Sequence, residues 1–363
     1  MRIFAPRYNK ESVLRKLQEV TSGRDGAFEQ RLGGIFTLGR EVLGLKIGIL
    51  ARIEGSDYEV VGVSCPPDAE LSTGMHFDVR DTYCCKVLEA DEPIGFAEAH
   101  GGQWADHPCY DKFGLESYLG APIRVNGSVY GTLNFSADAP RDTEFTGFEV
   151  ELIRLMARWL GGELERLEAA RALERDNRML RMIVDCQSGL LRSEDRAATF
   201  DKWLRGVLEF TDSEYGFLGE LVEDGNGALC LQRRALCNLA GAEASSLVDR
   251  DDPASTAQEP ALTSAGTRAL SEVRIANDPT SDPMSFGFPK GHPPLSCFAV
   301  LPVFWGGVQS GLLGIANRTG GYHADLSIAL EPLLDACGHA IAHSRTWAKR
   351  PGSSKGLPGA LDS

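Results

Sequence analysis

Apolar and polar positions along this chain change period several times, and each change marks an element. Across residues 9–44, Val13, Leu14, Leu17, Val20, Leu32, Ile35, Phe36, Leu38, Val42 and Leu43 recur at helical spacing, and Gly44 is placed to stop the helix. Residues 45–53 then read as a strand that turns through Gly55-Ser56-Asp57 and returns over 58–63, which predicts a hairpin. The polar segment 64–111 holds two short candidates, a helix over 82–88 and a strand over 94–97. Segments of this kind in compact domains serve as binding loops or lids. A second hairpin follows, and near residue 142 a helical pattern begins that runs from 148 to about 191 with only Gly161-Gly162 interrupting it.

The hairpin over 115–135 is written again over 295–315. Without a gap, Leu115 meets Leu295, Pro122 meets Pro302, Gly127 meets Gly307, Gly131 meets Gly311 and Leu133 meets Leu313. Each copy is an apolar run, a two-residue turn containing Gly, and a second apolar run. A period of 180 residues is far beyond solenoid spacing and signals a duplicated domain. The second half repeats the order of elements: a helix over 200–210, strands over 215–223 and 229–239, and a small-residue loop over 240–260. A short helix over 262–270, an edge-like strand over 273–278, a Pro-rich loop over 279–294, the repeated hairpin and a helix over 326–347 complete it. One antiparallel sheet with helices packed against it satisfies this order, an α+β class. The long loop then covers the other face, leaving a pocket between sheet and loop. The boundaries expected are an N-terminal helical segment (1–24), a first domain (25–165), a linker helix (166–192), a second domain (193–347) and a disordered tail (348–363).

The linker pattern has its own stripe. Leu152, Met156, Trp159, Leu164, Leu167, Leu173, Leu180 and Val184 recur with imperfect heptad spacing among Glu and Arg residues. Such a stripe predicts contact with another helix, and so a homodimer of coiled-coil type. Asn177 falls on it between Leu173 and Leu180, where a polar residue can set register and oligomeric state.

Composition narrows the function classes. A chain of 363 residues, 43% hydrophobic and 24% charged, suits two soluble domains. No stretch approaches the roughly 20 apolar residues of a membrane span, and residues 1–7 lack the apolar core of a signal peptide. No membrane insertion and a cytoplasmic location are therefore expected. A formal charge of −14 argues against nucleic acid as a partner. Nine scattered cysteines suggest reduced, packed thiols rather than a disulfide framework.

The residues also carry a family resemblance. Thr82-Tyr83-Cys84, Trp104-Ala105-Asp106-His107-Pro108-Cys109-Tyr110, Gly114-Leu115-Glu116-Ser117-Tyr118, Pro122, Asn126-Gly127 and Tyr130-Gly131-Thr132-Leu133-Asn134-Phe135 resemble the GAF domains of bacterial sensor histidine kinases and diguanylate cyclases. Ile275-Ala276-Asn277-Asp278-Pro279, Gly291-His292-Pro293-Pro294-Leu295, Leu301-Pro302 and Gly314-Ile315-Ala316-Asn317-Arg318 are similar to another GAF subgroup. The resemblance covers about residues 25–345. It implies a six-stranded antiparallel sheet per domain, a dimer through terminal and linker helices, a small-molecule ligand, and relay along the helices to a kinase or cyclase effector of two-component type. No phospho-acceptor His box, ATP-binding glycine box or cyclase signature occurs in the chain, so it reads as sensing rather than catalysis.

The candidate cups follow from these motifs: Tyr83, Cys84, Trp104, His107, Cys109 and Tyr110 in the first copy, and Asn277, Asp278 and His292 in the second. A loop stiffened by Pro, with His capping backbone, is the plainer account of the His-Pro pairs. The cofactor stays unnamed. The Asn-Lys…Phe…Asp-Glu pattern of cyclic-nucleotide binding is missing, Cys109 is followed by Tyr110 where a bilin thiol is commonly followed by His, and haem is not indicated. Cys65, Cys84, Cys85 and Cys109 match no metal-site spacing. Thiol-redox chemistry through Cys84 and Cys109, or a chromophore, is the alternative to a small-molecule sensor.

Overall fold

The computed structural model describes residues 8–22, 27–192, 196–223, 229–239, 271–279 and 294–348. The chain divides into two compact units, Met1–Ala172 and Leu173–Ser363.

In the first unit, the helical pattern of residues 9–44 is two helices, α1 (Lys10–Ser22) and α2 (Phe28–Leu43). Gly44 closes α2 at φ 67°, its N–H bonded to the Arg40 carbonyl. Strands β1 (Ile47–Glu54), β2 (Asp57–Ser64), β3 (His76–Asp78), β4 (Ile94–Phe96), β5 (Ser117–Val125) and β6 (Ser128–Ala137) form an antiparallel sheet ordered β3-β2-β1-β6-β5-β4. Two short helices, α3 (Cys84–Ala90) and α4 (Pro108–Phe113), interrupt the connections. Alternation along the strands sorts the core by face. Leu50, Leu119, Ile123, Leu133 and Phe135 share one cluster with residues of α2 and of the long helix α5 (Gly147–Arg192). Ile49, Ala51, Tyr58, Val60 and Tyr118 share another with α3, α4 and their loops. The second is the face that the sequence assigns to a cup.

The start of α5 is set by a capping box. The Glu149 carboxylate accepts from the Thr146 N–H at 2.7 Å, and Thr146 Oγ1 accepts from the Glu149 N–H at 3.3 Å. Glu149 is buried and Arg141 neutralises it at 2.7 Å. The helix therefore starts at Gly147 rather than near residue 142. Nor does Gly161-Gly162 break it, because α5 runs on to Arg192. A Cβ on Gly161 would overlap the carbonyl oxygen of Arg124 in β5, so this glycine lets the helix lie against the sheet backbone.

The second unit contains α6 (Arg196–Phe210), β7 (Tyr215–Glu223), β8 (Leu229–Asn238), β9 (Arg274–Ala276), β10 (Phe298–Trp305), β11 (Val308–Ala316) and α7 (Leu326–Ala348). Its sheet has five strands among the described residues, ordered β8-β7-β11-β10-β9, where the resemblance implies six. The expected loops over 240–260 and 279–294 lie largely or wholly outside the described residues, as do the expected helix over 262–270 and the tail from residue 349. Trp203, Leu204, Val207 and Leu208 of α6 share a core with Leu301, Val303, Leu313, Ile315 and, from α7, Leu333, Cys337 and Ile341. Buried Glu220 on β7 holds Arg345 of α7 and Arg234 of β8, each at 2.5 Å.

The duplicated hairpin folds the same way twice. Asn126-Gly127 has φ values of 51° and 79°, and Gly306-Gly307 has 57° and 78°, the doubly left-handed backbone of a tight hairpin turn. Both hairpins shift register at the same place, between Ile123 and Arg124 and between Val303 and Phe304. Gly131 and Gly311 sit beside those bulges. A Cβ on either would run into a carbonyl oxygen of the neighbouring strand, Ala51 or Gly219 respectively. No described helix is long and apolar enough to cross a membrane.

Candidate functional site

The second face of the first sheet carries a cluster of rings between the strands and the segment 97–116. Tyr83, just ahead of α3, is at its centre. Its ring centroid is 4.9 Å from Phe96, 5.7 Å from Trp104, 4.9 Å from His107 and 5.3 Å from Tyr118. Phe96 stacks on Trp104 at 4.6 Å with 21° between planes, in the offset-stacked range that aromatic pairs favour. The Tyr83 hydroxyl donates to the Leu115 carbonyl at 3.1 Å, and burial pushes its pKa up.

Beneath the rings is a polar knot on the sheet itself. The Cys84 sulfur lies 3.3 Å from the Tyr118 hydroxyl, and it accepts from Thr132 Oγ1 at 3.2 Å and Asn134 Nδ2 at 3.4 Å. Asn134 Nδ2 also donates to the Tyr58 hydroxyl at 3.2 Å. All five side chains are buried. Satisfied hydrogen bonding is what makes polar groups tolerable there. Burial raises the pKa of Cys84, Tyr58 and Tyr118 alike. Cys84 is therefore a neutral thiol among neutral hydroxyls.

His107 opens α4, where its Nδ1 accepts the Cys109 N–H at 3.2 Å. That bond puts the ring proton on Nε2, which faces the Cys85 sulfur at 3.5 Å. Burial, then the nearby Lys86 charge, lowers the imidazole's pKa, while burial raises that of the Cys85 thiol. Both shifts favour a neutral pair over a thiolate–imidazolium. Cys109 is buried and pushed up to about 12, so it is a poor nucleophile at neutral pH.

The rim is charged. The Tyr110 hydroxyl donates to Glu116 Oε1 at 2.8 Å and lies 3.3 Å from His100 Nδ1, while the His100 N–H donates to Glu116 Oε2 at 3.1 Å. Desolvation raises the Glu116 pKa, but the bonds from Tyr110 and from the His100 and Ala99 backbones outweigh it and lower it overall. This latch ties α4 and the segment after β4 to the start of β5.

The structure thus brings Tyr83, Trp104 and His107 into one cluster, puts Cys84 and Cys109 in the buried layer, and leaves Tyr110 on the rim. Phe96, Tyr118, Tyr58, Thr132 and Asn134 belong with them although no motif singled them out as ligand contacts. Their signal was the strand alternation, which says that residues share a face but not which face. In the second unit, Asn277 is engaged with backbone: its Nδ2 donates to the Tyr322 carbonyl at 3.0 Å and its Oδ1 accepts the Tyr322 N–H at 2.8 Å. Asp278 is exposed, and His292 lies outside the described residues. Among the described residues, no group of three or more His, Cys, Asp or Glu side chains is set to hold a metal ion.

Comparison with known proteins agrees with this architecture. A GAF domain family matches residues 28–164 and a second GAF domain family matches residues 193–342. No curated protein matches. Among solved structures, the crystal structure of the bacteriophytochrome RpBphP3 from the photosynthetic bacterium R. palustris is similar in fold, with a TM-score of 0.56 and 12% sequence identity. That alignment covers 93% of this chain and 77% of the other. The family matches span well over half of the chain, which belongs to the GAF domain family and carries two such domains in tandem.

Proposed function

We propose that the chain is a signal-transduction sensor module whose first GAF domain takes a small molecule at the ring cluster and whose helices pass the event on. The observation that carries this reading is the arrangement of Tyr83, Phe96, Trp104 and Tyr118 between the sheet and a segment latched by Tyr110, His100 and Glu116. Stacking faces lie above a floor of hydroxyl, thiol and amide groups, the mixture of apolar walls and few polar groups that small-molecule sites use. The tandem GAF architecture supports a sensor module. In this reading it acts in the cytoplasm as a homodimer through helices on a kinase- or cyclase-type output. A ligand would act by its differential affinity for two helix arrangements, which sets how far it can shift them.

Native mass spectrometry of the protein purified from its own host tests the reading. A retained small molecule is expected, lost on Trp104→Ala while the fold's melting transition persists. Retention that ignores Trp104→Ala moves the ligand elsewhere, and no retained or exchangeable ligand in host extract refutes the sensor site.

A further inference from the structure

A level row of side chains crosses four strands on the cup face of the first sheet. Phe96 of β4 pairs with Tyr118 of β5, Tyr118 with Ser136 of β6, and Ser136 with Ile47 of β1, and directly paired residues share a face. Ser136 is 1% exposed, and among the described residues its Oγ has no hydrogen-bond partner. Its neighbours along β6 on this face are committed, Thr132 to Cys84, and Asn134 to Cys84 and Tyr58. The Tyr118 hydroxyl turns away from Ser136. It stands where a Cβ on Gly120 would be and reaches along β5 toward Cys84. A buried hydroxyl left without a partner carries its full desolvation cost, so Ser136 is an uncommitted polar group on an otherwise hydrogen-bonded floor.

The cup also lacks charge. Glu149, Glu163 and Glu220 are the buried charged side chains among the described residues, and they lie on α5 and β7. At the rim, Asp81 is paired with Lys112, and Glu116 accepts from the Tyr110 hydroxyl and the His100 N–H. An ionised ligand between the rings would lose its water and meet no free counter-charge, the costly case of burial. The rings favour a flat ligand. The plane of Phe96 makes 21° with that of Trp104 and 23° with that of Tyr118, so three faces are nearly aligned for stacking.

We infer that the first GAF cup takes an uncharged, planar aromatic molecule, and that Ser136 selects it by hydrogen bonding a polar atom at its edge. The inference rests on the sensor site proposed above and names the ligand's chemical class and the residue that discriminates. Trp104, the half-buried member of the stack, is the ring that gives way to admit the ligand and then covers it. A serine hydroxyl donates or accepts, so a ligand hydroxyl, carbonyl or ring nitrogen satisfies Ser136, while a hydrocarbon of the same shape leaves it orphaned. Sites built on a buried polar group reject the analogue that cannot pair with it.

Equilibrium dialysis of the full chain against β-naphthol, naphthalene and β-naphthoate at neutral pH tests this, because the three share a ring system and differ at its edge. β-Naphthol is expected to bind best and β-naphthoate at least about tenfold more weakly. Ser136→Ala is expected to weaken β-naphthol about fivefold and leave naphthalene unchanged. The same variant should keep or raise the melting temperature of the free protein, since it removes a hydroxyl without breaking a bond. Binding of β-naphthoate as tight as that of β-naphthol overturns the uncharged class. Equal effects of Ser136→Ala on β-naphthol and naphthalene, or none on either, overturn the role of Ser136, as does a lowered melting temperature with unchanged affinities. Native mass spectrometry of the host-purified chain separates this inference from the reading beneath it. A retained ligand with no affinity for any probe, or a retained ligand that carries phosphate or carboxylate, defeats the class and leaves the sensor site standing. Neither retained ligand nor bound probe defeats both.

Discussion

His107 shows how a single side chain can be held in one protonation state by its place in the chain. Standing at the N-cap of α4, it spends Nδ1 on the Cys109 amide, a bond that a protonated ring cannot accept. Its pKa is lowered, by burial first. The folded state therefore binds this proton less readily than the unfolded one, so the stabilisation is fully present above the ordinary value near 6.5. It is lost as pH falls from there through the lowered folded value. Thermal melts of the first GAF domain between pH 8 and 5 should show a stability decline that His107→Asn, which retains a capping acceptor, reduces. A decline of equal size in the variant would assign it to other groups. Cys109 gives a second test at this scale. A buried thiol at about 12 is nearly all protonated at pH 8, so brief iodoacetamide treatment should leave Cys109 unmodified in folded protein and label it after unfolding, as read by peptide mass spectrometry. The capping role of His107 was legible in the sequence, where a Pro-stiffened loop with His capping backbone accounts for the His-Pro pair. The burial was not, because Trp104, His107, Cys109 and Tyr110 lie within one short segment while their fates (ring cluster, cap, core and rim) depend on which strands lie beneath them.

The duplicated hairpin was the element most legible in the sequence, and its physics explains why. Its shared spacing between the two copies holds glycines where a side chain is disfavoured: by left-handed turn backbone at Gly127 and Gly307, and by close approach to the next strand at Gly131 and Gly311. The elements that the sequence hid are the three residues of β3 and the six of α4, too short to express a period. Gly161-Gly162 interrupts the helical pattern but not the helix, for a related reason. A glycine inside a helical pattern reads as a break because its cost to the helix is visible locally, while the benefit, contact with the Arg124 carbonyl, comes from a strand far away in sequence. Gly338 of α7 meets the carbonyl of Phe304 in the same manner, and Phe304 is the hairpin counterpart of Arg124. Gly161→Ala should thus destabilise the first domain by about 1–3 kcal/mol through backbone displacement, opposite in sign to the gain that an exposed helix would show. Thr146→Ala, which removes the capping hydroxyl of α5, should cost about 1 kcal/mol. Urea titration of each variant checks both, and a stabilised Gly161→Ala would mean that α5 does not rest on β5.

At the scale of the whole chain, each unit owns its hydrophobic cores: the first has one on either face of its six-stranded sheet, and the second gathers α6, α7 and its strands around another. Between residues 168 and 178 every residue of α5 is exposed, so this stretch of helix lacks tertiary packing to sustain it. Helices in proteins owe most of their stability to such packing, and an unsupported stretch persists here because both its ends are anchored. A chain ending at residue 172 should therefore keep the first domain's cooperative melt, since everything removed lies outside its cores, and its transition should fall within a few degrees of the corresponding one in the full chain. Circular dichroism at 222 nm over a temperature ramp reads this directly. A fragment that melts without cooperativity would show that the first domain depends on the rest of the chain for its stability, and α5 would then couple the two units thermodynamically rather than merely connect them.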